Sequence, residues 1–220
     1  MQRLLFLGLL WLGALSPAVA AAPEGDGAEV PDRFLAGLRT FQAHFVETRL
    51  DREGGLVSHA RGQVVIQRPG LFRWEYIAPD PQLLLADGTR LWNYDIQLAQ
   101  VTVQPQRQAL DGSPALLLSG RTPPSQAFVI QPLPPRDGLD WYALQPRRKD
   151  GPFVLVRLGF RVKGEDRVEL RAMELVDDFG RQTRIRFEHV RINDPVDPGR
   201  FRFTPPAGVD VIGTDAREAP

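Results

Sequence analysis

The side chains best placed to do chemistry in this chain lie in Arg68-Pro-Gly-Leu-Phe-Arg-Trp-Glu-Tyr76. Alternate residues of an extended strand share a face. Val64, Ile66 and Arg68 therefore point one way. After the Pro69-Gly70 break, Phe72, Trp74 and Tyr76 form an aromatic wall, with Leu71, Arg73, Glu75 and Ile77 on the other side. A guanidinium looking along an apolar surface beside three rings suits a pocket for an apolar ligand with one polar latch. Its five N–H donors form a rigid fork that can hold the carbonyl oxygens of a covering element. Pro69 also ends the strand, so a surface position for Arg68 and a plain core role for the rings remain open.

No catalytic constellation assembles around this segment. His44, His59 and His189 are scattered along the chain, and no pair has metal-ligand spacing. There is no nucleophile elbow, no phosphate-cradling glycine loop and no carboxylate pair on an apolar face. Asp177-Asp178 falls at a turn, where acids are ordinary. The expectation is binding without a catalytic residue, metal or cofactor. Cysteine is absent, which excludes disulfides, thiolate sites and a lipid anchor on an N-terminal cysteine.

Residues 1–20 read as a secretory leader, with Arg3, an apolar run from Leu4 to Leu15 and the small-residue pattern Ala18-Val19-Ala20. Cleavage is expected after Ala20, with Ala22 as the alternative. No later stretch approaches the roughly 20 apolar residues of a membrane span, so the mature chain is expected to be exported and soluble. Without Arg3 it carries 26 basic against 27 acidic residues, a balance that argues against nucleic acid as a partner. Arginine outnumbers lysine 25 to 2, which a GC-rich gene explains as well as any function does. The expected organisation is a leader at 1–20, a flexible lead-in at 21–30, one domain at 31–214 and a polar tail at 215–220.

The elements that must position the aromatic wall begin with a predicted helix from about Pro31 to Arg49. Phe34, Leu38, Phe41 and Phe45 recur at helical spacing, and Pro31 and Asp32 suit its first turn. From Leu56 onward the pattern is strand and turn. Asp87-Gly88 joins Gln82–Ala86 to Thr89–Asp95 as a hairpin. Trp92 and Tyr94 share a second aromatic face, Val154 to Val162 alternates with polar residues, and Val168–Leu175 and Gln182–Val190 flank another turn. Ser113 as N-cap and Pro114 open a short predicted helix carrying Leu116 and Leu117. The proline-rich stretch 120–138 is hardest to read, with one strand expected at Ala127–Gln131. About ten antiparallel strands with two helices on one concave face would account for these segments.

Three separated motifs then carry a family resemblance. Gln67-Arg-Pro-Gly-Leu-Phe-Arg-Trp74, Leu83-Leu-Leu-Ala-Asp-Gly-Thr-Arg-Leu-Trp-Asn-Tyr94 and Phe201-Arg-Phe-Thr-Pro-Pro-Ala-Gly-Val209 together resemble the LolA family of periplasmic outer-membrane lipoprotein carriers. The resemblance runs from about Asp32 to Val211 and is weak over 122–152. It implies a mainly β fold, an incomplete, unclosed antiparallel β-barrel with a helical lid over an apolar cavity. It implies a periplasmic monomer that takes acylated lipoproteins from a LolCDE-type inner-membrane ABC transporter and passes them to the outer-membrane receptor LolB. By position, Arg68 would fasten the lid, Phe72 would stand at the cavity entrance and Trp74 in its wall. Phe34, Leu38, Phe41, Phe45, Trp92, Leu116 and Leu117 complete the expected lining. Ala115 stands where a bulkier lid residue is expected, which would loosen closure. The rival readings are a lipid- or lipoprotein-sensing protein of the same fold, the receptor itself, and a lipid hydrolase.

Overall fold

A computed structural model describes residues 29–106, 114–120, 123–148, 151–164 and 167–213. The expected leader, most of the lead-in, the Ser113 cap and the tail lie outside them, as do the side chains of Ala115 and Leu116.

The first expectation to fail is the long opening helix. Helix α1 spans only Glu29–Gly37, and strand β1, Thr40–Leu50, follows it. Phe34 and Leu38 therefore belong to the helix and the turn after it, whereas Phe41 and Phe45 belong to the sheet. The four-three-four spacing fits a helical stripe. Phe41, Ala43 and Phe45 also alternate with Thr40, Gln42 and His44, and the sheet takes that second pattern. A nine-residue helix is marginal alone, so α1 depends on burial of Phe34 and Leu35, each worth about 1.5–3 kcal/mol.

Beyond β1 the chain forms β2 (Leu56–Gln67), β3 (Leu71–Ala78), β4 (Gln82–Asp87), β5 (Arg90–Asp95) and β6 (Gln100–Pro105). Two short helices follow, α2 (Pro114–Ser119) and α3 (Pro124–Ala127). Then come β7 (Phe128–Arg136), β8 (Leu139–Pro146), β9 (Phe153–Lys163), β10 (Arg167–Asp177), β11 (Gln182–Ile192), a 3-10 turn at Pro198–Phe201 and β12 (Asp210–Gly213). The strands make one twelve-stranded sheet in the order β12-β6-β5-β4-β3-β2-β1-β11-β10-β9-β8-β7. Neighbours are antiparallel except β12, which lies parallel to β6. β7 and β12 stand at opposite edges, so the barrel is not closed. The sheet holds more strands than expected, and three helices are described where the sequence pattern predicts two.

Register shifts in β1–β11, β2–β3 and β9–β10 bend the sheet. At Gly62 the curvature leaves no room for a side chain. An added Cβ would lie 2.0 Å from the Glu75 carbonyl oxygen and 2.6 Å from the Phe45 ring.

The curved sheet has an apolar inner face and two smaller apolar patches outside. The inner cluster joins Phe34, Leu38, Phe41, Phe45, Ile66, Phe72, Trp74, Leu117, Phe160 and Phe187. One outer cluster contains Leu83, Leu85, Trp92, Val101 and Val103, covered by Phe203, Val209 and Val211 of the C-terminal segment. The other pairs Leu139 and Trp141 with Ala172.

β7 carries Pro132, Pro134 and Pro135 and pairs on one side only, with β8. The proline-rich stretch is thus largely an edge strand.

Candidate functional site

Strand β3 behaves as its alternation requires. Phe72 and Trp74 enter the inner cluster, and Tyr76 packs against it. Phe45 of β1 stacks obliquely on Trp74 at 4.8 Å and meets Tyr76 edge-on at 5.2 Å. Phe41 and Phe187 meet at 5.3 Å, and Phe34 of α1 closes over Phe160 at 5.2 Å. Under the helices the hollow is thus occupied by the protein's own rings.

Away from the helices an open cavity of about 480 Å³ remains, inside the range of small-molecule sites. Trp74, Leu84, Phe153, Leu175 and Ile185 line it together with Glu47, Arg49 and Tyr76. Glu47 is 3% exposed and its charge is compensated on both oxygens. The Tyr76 hydroxyl donates to Oε2 at 2.9 Å, and Arg49 Nε donates to Oε1 at 2.8 Å. Burial first, and then the carboxylate it bonds, pushes the Tyr76 phenol well above its ordinary value, with Arg49 pulling the other way. Reading residues 40–49 as helix conceals Glu47 and Arg49. As a strand they fall on the parity of Phe41 and Phe45 and face the cavity.

The residues expected from sequence divide into three groups. Phe34, Leu38, Phe41, Phe45, Phe72, Trp74 and Leu117 come together in the inner cluster. Phe72 is wholly buried, in the cluster that holds Leu117 and Leu118 of α2, and so does not stand at an entrance in this structure. Trp92 does not line the cavity. It pairs with Leu85 across β4–β5, which puts it on the outer face, where it packs at 5.5 Å from Phe203 and donates to Asp87 Oδ2 at 2.8 Å. The side chain of Leu116 lies outside the described residues.

Arg68 also departs from expectation. Its side chain has no carbonyl partner among the described residues, and Nη1 is buried without an acceptor. Burial alone lowers its affinity for the proton. The neighbouring backbone ties α2 to the β2–β3 turn instead. Gly70 N–H donates to the Ser119 carbonyl at the end of α2 at 2.8 Å. Gln106 braces that turn, donating to Gly70 O at 2.6 Å and accepting from Gly88 N at 2.9 Å. Asp32 of α1 accepts from Ser125 N of α3 at 3.1 Å. Asn193 holds the end of α1, accepting from Arg39 N at 2.7 Å and donating to Gly37 O at 2.9 Å.

His44 and His189, far apart in sequence, meet at 5.1 Å between ring centroids as exposed side chains of β1 and β11. Among the described residues no group of three or more His, Cys, Asp or Glu is placed to hold a metal ion. Among the same residues no helix is long and apolar enough to cross a membrane.

The sequence matches the family model of outer membrane lipoprotein carrier protein LolA over residues 36–204. The chain belongs to the LolA family. A Dechloromonas aromatica outer-membrane lipoprotein carrier protein is 41% identical over 200 residues, covering 91% of this chain and 92% of that one. The protein of the same name from Methylococcus capsulatus is 41% identical over 179 residues, covering 81% and 84%. A solved structure of an uncharacterized conserved protein from Thermus thermophilus matches with a TM-score of 0.52 at 16% identity, over 84% of this chain and 98% of that one. That likeness bears on the fold alone. The LolA match takes in β1 through β11 and Phe203, and so every element that walls the cavity.

Proposed function

We propose that this LolA-family protein carries acylated lipoproteins through the periplasm with their acyl chains shielded in the hollow of the sheet. It would receive them from a LolCDE-type transporter in the inner membrane and yield them to LolB at the outer membrane. The observation that carries the reading is an apolar cavity in an unclosed sheet, walled by the segments that match the family. Each buried methylene is worth about 0.8 kcal/mol, so exposing two or three long chains to water would cost tens of kcal/mol. Cargo must pass from one hollow to the next.

Release needs an opposing term, and the closed form supplies it. Phe41, Phe45, Trp74 and Phe187 fill the hollow in the empty protein, and Phe34 and Leu38 cover it. Loading parts these rings and lifts the helices, so cargo burial is offset by loss of the protein's own burial. The corrected position of the four-residue stripe matters here. Phe34 and Leu38 sit on the cover and Phe41 and Phe45 on the wall, so opening separates the two pairs.

Binding and turnover are distinguished by incubating the purified protein with a fluorescent acyl ester. Uptake that saturates without product supports a carrier, and steady hydrolysis sinks the reading in favour of a lipase-like enzyme. Depleting the protein in cells should leave lipoproteins at the inner membrane. Normal delivery to the outer membrane would remove the transport role.

A further inference from the structure

Trp74 carries the unexplained polar atom of the cavity wall. Among the described residues two buried side-chain nitrogens lack a partner, Arg68 Nη1 and Trp74 Nε1. The charged groups around the same cavity are paired, Arg49 with Glu47, which also accepts from Tyr76, and Arg181 with Asp177 at 2.6 Å. Nor is a lone indole N–H the rule in this chain. Trp92 donates to Asp87, and Trp141 donates to the Arg136 carbonyl at 3.0 Å. Trp74 is 6% exposed, with Phe45 on one side and Phe187 at 6.3 Å. A buried donor left unmatched is destabilising. If the wall needed only an apolar ring, phenylalanine would serve without that penalty.

We propose that in the loaded protein Trp74 Nε1 donates to the carbonyl oxygen of an acyl linkage, the ester or amide that joins a lipid chain to its cargo. The inference rests on the carrier reading and deepens it, because it selects acyl groups over plain hydrocarbon. A neutral carbonyl suits the position. It leaves water far more readily than a carboxylate or phosphate does, and Trp74 has only the single N–H to offer. The ring already forms part of the cavity wall. Parting Phe45 and Phe187 from it during loading opens the N–H to a carbonyl that follows its chain inward. The unmatched donor then raises the free energy of the empty closed form and is satisfied by cargo.

The test compares a monoacylglycerol with the monoalkylglycerol ether of equal chain length, measured by calorimetry on the wild-type protein and on Trp74→Phe. The wild type should bind the ester about tenfold more tightly than the ether, and the variant should lose that preference. The indole N–H resonance absent from Trp74→Phe should move with ester and stay put with ether. If the variant fails to fold, the wild-type ratio and the shift of an indole resonance on ester binding decide the matter. Equal binding of the two lipids by the wild type, or an unchanged ratio in Trp74→Phe, would overturn the inference and leave lipid carriage standing. Failure of the wild type to bind either lipid would overturn both.

Discussion

Tyr76 and Glu47 show how a carboxylate is tolerated inside an apolar wall. Removing the hydroxyl in Tyr76→Phe leaves Glu47 Oε2 without its donor, at a cost of about 1–3 kcal/mol, to be read from urea unfolding. The raised phenol adds a pH signature. A group whose folded value lies above its unfolded one contributes fully below the unfolded value and less as pH climbs towards the folded one. Wild-type stability should therefore fall as pH rises above about 10, the ordinary phenol value, and Tyr76→Phe should lack that component. Parallel alkaline limbs in the two proteins would refute the pairing. Arg68 gives the opposite kind of prediction. Among the described residues its Nη1 is buried without an acceptor, so Arg68→Leu should stabilise the empty protein by about 1 kcal/mol. Calorimetry should then record a melting temperature about 2–4 °C higher, and a lower one would mean that the guanidinium fastens something after all.

The elements are legible where two independent patterns agree. The β4–β5 hairpin follows from alternation on both sides of Asp87-Gly88, and α2 from Pro114 and the leucines behind it. The opening helix is overextended in the sequence because Phe34, Leu38, Phe41 and Phe45 satisfy the helical period across a real boundary. Ala43, the small member of the strand alternation, and Glu47, a buried acid, hide the competing period. Trp92 goes astray for another reason. Parity groups Trp92 with Tyr94, but which face that pair takes depends on the register with Leu85 and on a cover that arrives about 110 residues later in the form of Phe203. Residue spacing within one strand contains neither fact. The tie between α2 and the β2–β3 turn is illegible too, since Gly70 N–H and the Ser119 carbonyl are backbone groups. Gln106 braces them, and Gln106→Ala should speed amide exchange in α2 and at Gly70 while the central strands keep their protection. Unchanged exchange there would show that the brace is idle.

At the scale of the whole molecule, the same open sheet that leaves room for cargo leaves two strands with no neighbour on one side among the described residues. The β12 edge is only four residues long. The β7 edge is nine residues long, but Pro132, Pro134 and Pro135 remove three of its N–H groups. Very short edge strands and prolines both prevent a foreign strand from adding to a sheet. Replacing the three prolines with threonine should keep the fold and yet produce self-association that grows with concentration, visible in light scattering. A monodisperse variant at tenfold higher concentration would count against the idea. Barrels solve this problem by closure, a route that an unclosed sheet does not have. Here three rigid rings of proline do the work of the missing seam, so that another copy meets a broken row of donors and finds no template for a fibre.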